Sequence, residues 1–152
     1  MLRVTVPADI QETLRKALVL AGTNECGGVL MGEHVGHNHF VVQRITIQAR
    51  GGFAWFVRGA AGAVAAVRKF LAANGNDYSR FNYLGEWHSH PSFSVSPSDK
   101  DHDTMRAMTK STPGANFLVL LVFRLDGASL VGSAHTYLPD GAVHQSTLEL
   151  EV

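Results

Sequence analysis

The chain has 152 residues, 45% of them hydrophobic, which suits one compact domain, residues 1–152, and leaves little room for a second. Its 13 basic and 13 acidic side chains cancel and no basic run exceeds two residues, so nothing predicts capture of nucleic acid or an anionic membrane. A single cysteine, Cys26, excludes an internal disulfide framework, and no apolar run approaches the roughly 20 residues of a spanning helix.

The opening segment, Met1 to Pro7, is too short and polar for a signal peptide, so the expected location is the cytoplasm. Within it, Leu2 to Val6 alternates as a short strand, and Ala8 to Leu20 carries Ile10, Leu14, Ala17 and Leu18 at helical spacing, closed by Gly22. Val29 to Met31 and Phe40 to Ile47 read as a hairpin around a polar stretch from Gly32 to His39. Gly51-Gly52 breaks the chain. Phe53 to Val57 is expected to be a short extended piece, and Ala60 to Ala73 an Ala-rich helix. Gly51 to Ala63, with Phe53, Trp55 and Phe56 among glycines, offers a docking edge for an extended peptide, against the commoner reading of such aromatics as core.

Tyr83 to His90 is the next strand, Ser92 to Pro97 a loop, and Ser98 to about Lys110 a helix. Phe117 to Phe123 is unbroken apolar sequence and is expected to be a central strand buried on both faces. Asp126-Gly127 and Asp140-Gly141 mark turns to strands at Ser129 to Tyr137 and Val143 to Leu150. The sum is a mixed α/β domain with a mostly antiparallel sheet flanked by helices.

The chemistry concentrates at His88-Ser89-His90-Pro91, followed by Ser98 and Asp101. On a strand, side chains two apart share a face, so His88 and His90 project together, and Pro91 ends the strand because it cannot donate to the ladder. Asp101, on the opening turn of the following helix, can return as a third ligand. Two His and one carboxylate leave a fourth position for water, the layout of a catalytic zinc site. Ser98-Asp99-Lys100-Asp101 is also a near match to a helix capping box, and the two readings are compatible. Glu86 shares the strand face and competes as ligand or as a partner to an imidazole N–H, while Asp99, His102 and Asp103 are further candidates. His37-Asn38-His39 repeats the spacing inside a polar turn, with only Glu33 and His34 nearby, and reads as solvated.

The full string resembles the JAMM (MPN-plus) metalloprotease family, whose signature is an upstream Glu followed by HxHPx6SxxD. His88, His90, Ser98 and Asp101 occupy its fixed positions, and Glu25-Cys26-Gly27-Gly28-Val29-Leu30-Met31-Gly32 is similar to the segment carrying the family's catalytic Glu. The resemblance implies an MPN/JAB (cytidine-deaminase-like) fold and an isopeptidase or peptidase holding one Zn2+ per chain on His88, His90 and Asp101. It implies that Glu25 moves the proton and that Ser98 hydrogen-bonds the developing oxyanion. Without the family, Glu33 would rival Glu25 as the acid. Cys26 is expected to pack rather than react.

The chain lacks the insertions and second, cysteine-bearing zinc site found in some eukaryotic deubiquitinases of the family. Gly85-Glu86-Trp87-His88-Ser89-His90-Pro91 is similar instead to small bacterial members of the Prok-JAB type. Those accompany ubiquitin-like or sulfur-carrier proteins and their activating or conjugating enzymes, which makes such proteins the expected partners. The competing classes are a non-catalytic scaffold, against which the intact ligands argue, and a zinc amidohydrolase of small peptides.

Overall fold

The computed structural model describes residues 1–48 and 53–152, with side chains in the second stretch from residue 62 onward. Its elements in chain order are β1 (Arg3–Val6), α1 (Ala8–Ala21), β2 (Gly27–Gly36), β3 (His39–Ile45), α2 (Phe53–Ala73), β4 (Phe81–Ser89), α3 (Asp99–Ser111), β5 (Leu118–Asp126), β6 (Ser129–Tyr137) and β7 (Val143–Leu150). The strands form a closed barrel in the order β1-β3-β2-β4-β5-β6-β7. Pairing is antiparallel for β2–β3, β2–β4, β5–β6 and β6–β7. It is parallel for β1–β3, β1–β7 and β4–β5. This mixed α+β architecture agrees with the sequence expectation. No helix among the described residues is long and apolar enough to cross a membrane.

Each face of the sheet carries its own helices. Ile10, Leu14, Ala17 and Leu18 of α1, the predicted apolar stripe, pack with Val4, Leu30, Trp87, Leu121 and Phe123. On the opposite face, Met105 and Met108 of α3 meet Leu118, Leu120, Val122 and Tyr137, and Phe70 of α2 meets Val29 and Met31. β5 is therefore buried on both sides from Leu118 to Phe123, as its unbroken apolar run requires.

β4 departs from strict alternation. Gly85 adopts φ of 144°, and the β2–β4 register shifts between Leu30 and Met31. A side chain at Gly85 would place its Cβ 2.0 Å from Val119 O, so close approach to β5 also demands glycine. Across this bulge, Leu84 and Trp87 join the α1 core while Tyr83 packs on the opposite face with α2 and α3. The bulge thereby sets which face receives Glu86 and His88.

Several expectations need correction. Phe53 to Val57 is not extended: α2 begins at Phe53, so the helix of the Ala-rich run takes in the aromatic residues that precede it. That also removes residues 53–63 as a strand-like docking edge, while Gly51 and Gly52 lie outside the described residues. The polar stretch from Gly32 to His39 is mostly strand, reversing at His37-Asn38, where Asn38 takes φ of 50°.

Candidate metal centre

β4 delivers the two histidines differently. His88 is its penultimate residue, whereas His90 lies just beyond it, held by its N–H donating to Phe123 O of β5 at 2.8 Å. After Pro91 the chain turns so that Ser94 O lies 2.7 Å from His90 Nδ1. A carbonyl can only accept, so Nδ1 carries the proton and Nε2 keeps its lone pair, the tautomer a metal needs. Phe93 stacks on the same imidazole, ring centroids 4.3 Å apart, and holds its plane.

α3 supplies the third group. Ser98 is its N-cap: Ser98 Oγ accepts from the Asp101 N–H at 3.1 Å, and Asp101 Oδ2 accepts from the Ser98 N–H at 2.8 Å. That same Oδ2 lies 3.3 Å from both His88 Nε2 and His90 Nε2. Capping and convergence on the histidines are thus done by one carboxylate. The donor atoms of His88, His90 and Asp101 all lie within 4.8 Å of one another, close enough to share a metal ion.

The electrostatics suit a cation. Burial acts to raise the Asp101 pKa, but the His88 imidazole and the Ser98 N–H and hydroxyl outweigh it and hold the carboxyl well below the ordinary carboxylate value. His88 Nε2 is buried without a hydrogen-bond partner, its approach to Asp101 lacking hydrogen-bond geometry. A buried orphan nitrogen facing a carboxylate is costly unless something fills the space between them. The residues present therefore fit a metal.

The rival acids are accounted for elsewhere. Glu33 pairs with Arg80 at 2.6 Å and accepts from Gln43 at 2.9 Å. Asp103 meets Arg106 at 3.4 Å, Asp99 is solvent-exposed, and His102 Nδ1 bonds Tyr137 OH at 2.8 Å. Of the second HxH, His37 is exposed as expected, whereas His39 is not simply solvated: its two ring nitrogens meet Arg3 and Thr5. Glu86 is buried on the sheet, 3.4 Å from the Tyr83 hydroxyl through one oxygen and unpartnered at the other. Burial pushes its pKa up to about 8, though the Tyr83 hydrogen bond opposes this. It belongs to no metal-ligating group among the described residues.

Glu25 is exposed in the segment leading into β2, where Gly27 registers with His88 and the Ser89 N–H donates to Cys26 O at 2.9 Å. It therefore sits one residue before the pairing that ends at the histidines. Gly27 and Gly28 permit this tight entry: a Cβ on Gly28 would lie 1.8 Å from Thr46 O. Cys26 is buried, and desolvation raises its thiol pKa against a lowering contribution from Ser89, which agrees with a packing role. Ser89, Phe93 and Ser94 O support the site without belonging to the motif that marks it in the sequence. Ser89 alone left a signal, as the hydroxyl between two candidate ligands.

With this geometry in view, residues 7–136 match the family model for prokaryotic homologs of the JAB domain. The chain belongs to this family. The solution structure of protein DSY2949 from Desulfitobacterium hafniense is similar to this JAB domain with a TM-score of 0.67 and 23% identity. The match covers 97% of this chain and 92% of that one, and shows a shared fold. No curated protein sequence matches this JAB domain. The family includes metalloproteases, and the His-His-Asp group is where this JAB domain could hold its metal.

Proposed function

We infer that this JAB domain is a zinc-dependent isopeptidase or peptidase that cleaves after the C-terminus of a ubiquitin-like or sulfur-carrier protein. The observation that carries this reading is the convergence of His88 Nε2, His90 Nε2 and Asp101 Oδ2, with the first of these buried and orphaned. Two imidazoles and a carboxylate are a donor set of catalytic zinc sites, and His88, His90 and Asp101 would hold one ion per chain. Zinc in such a site lowers the pKa of water from about 15.7 to about 7 and polarises a carbonyl.

The remaining work falls to the chain itself. Glu25, exposed beside the ligand strand, accepts the proton of the attacking water and passes it to the departing amine. Ser98 Oγ already accepts from the Asp101 N–H, so its own O–H is left to donate a hydrogen bond to the oxygen of the scissile carbonyl as negative charge develops there. His90, held by Ser94 O and Phe93, needs no reorientation on binding. Resemblance to the Prok-JAB type supports a carrier protein as substrate and an activating or conjugating enzyme as neighbour.

Glu25→Gln tests the mechanism. Zinc content should stay at one per chain while turnover of a carrier protein joined through its C-terminal glycine to a lysine peptide falls about 100- to 10,000-fold. Undiminished turnover in that variant would remove Glu25 from the reaction. Free peptides cleaved as fast as the carrier conjugate would instead favour a small-peptide amidohydrolase.

A further inference from the structure

We propose that Ser89, lying between the two histidines, is a positioning residue that holds the Glu25 segment in register with the metal ligands, an assignment that rests on the isopeptidase reading. Ser89 is 1% exposed. Its N–H donates to Cys26 O at 2.9 Å, as an antiparallel pair requires. The reciprocal donor, the Cys26 N–H, goes to the Ser89 hydroxyl at 3.0 Å. Cys26 precedes the first residue of β2, so a side chain here continues the pairing one step past the strand.

The consequence concerns Glu25, which is joined to Cys26 by one peptide bond. Two hydrogen bonds on Cys26 fix the point from which Glu25 extends, and both partners belong to the residue that separates His88 from His90. Movement of the acid relative to the ligands therefore requires breaking one or both. The Cys26 thiol reinforces the arrangement, its sulfur 3.6 Å from Ser89 Oγ and 4.0 Å from Ala17 O of α1. The Ser89 hydroxyl has no contact with a metal-binding atom among these bonds, so it acts through the placement of Glu25.

The test uses the full, zinc-loaded chain as Ser89→Ala, Ser89→Thr, Glu25→Gln and the double variant Ser89→Ala/Glu25→Gln. Zinc is measured by elemental analysis, exchange of the Cys26 amide by NMR, and turnover with a peptidyl-Gly-Gly anilide. In Ser89→Ala we expect one zinc per chain, Cys26 amide exchange faster by about tenfold or more, and kcat down about 100-fold at nearly constant KM. Ser89→Thr, which keeps the hydroxyl, should restore the wild-type values. In the Glu25→Gln background, removing the hydroxyl should cost no further turnover, because the group it positions is already gone. An unchanged Cys26 exchange rate in Ser89→Ala, or an equal loss of turnover in both backgrounds, overturns the proposal. Should wild type cleave neither this anilide nor a carrier protein joined through its C-terminal glycine to a lysine peptide, the isopeptidase reading falls, and the Cys26 exchange rate alone decides whether Ser89 anchors the segment.

Discussion

Glu86 is a carboxyl that the protein keeps almost wholly from water, with one oxygen on Tyr83 and the other unpartnered. Its folded pKa of about 8 stands above the ordinary 4.5. The sign follows directly: the unfolded chain releases this proton first as pH rises, so stability is fully present below about 4.5 and is lost up to about 8. The size is on the order of a few kcal/mol. Urea unfolding of the metal-free protein across this range should show the decline, and Glu86→Gln should flatten it and be the more stable form at pH 8. A parallel decline in both proteins would place the titrating group elsewhere. The sequence placed Glu86 correctly beside His88 on the strand, yet could not choose between ligand, partner and solvent-facing acid. That choice depends on which groups α2 and α3 bring over the sheet, which spacing along one strand does not contain.

At the level of elements, α3 matters because its cap and its metal-facing carboxylate are one residue. Asp101→Asn retains an oxygen that can accept from the Ser98 N–H, whereas Asp101→Ala removes it. Capping of this kind contributes about 1 kcal/mol. Metal-free Asp101→Asn should therefore unfold near the wild-type midpoint and Asp101→Ala about 1 kcal/mol earlier, while both lose metal affinity by about tenfold or more. Equal midpoints for the two variants would show that the capping box adds nothing. The elements themselves were largely legible: α1 from its stripe and Gly22, β5 from its apolar run, the last two hairpins from their Asp-Gly turns. The start of α2 was not, because aromatic residues near Gly51-Gly52 mimic a short strand and only the continued helical winding from Phe53 shows otherwise.

For the whole molecule, the candidate metal centre joins three elements: β4 brings His88 and α3 brings Asp101, while β5 holds His90 through Phe123 O. An ion bound there should stabilise the fold as a unit. At a free zinc concentration of 100 times Kd the gain is about 2.7 kcal/mol, or roughly 5–10 °C in Tm for a chain of this size. Calorimetry with zinc and with a chelator should show that shift in wild type and its disappearance in His88→Ala; an equal shift in both would mean binding elsewhere. The convergence of His88, His90 and Asp101 was legible in the motif, but the Ser94 and Phe93 contacts that orient His90 arise in an irregular loop with no periodic signal. Closure of the barrel was likewise hidden, since the parallel seam between β1 and β7 joins the two ends of the chain. That seam gives every described strand two neighbours, so a foreign strand finds only short stretches of open ladder, such as residues 81–84 of β4 on its β5 side and 129–133 of β6 on its β7 side. Beyond those stretches a visiting peptide is gripped by side chains and connecting segments, which can vary without disturbing the ring beneath them.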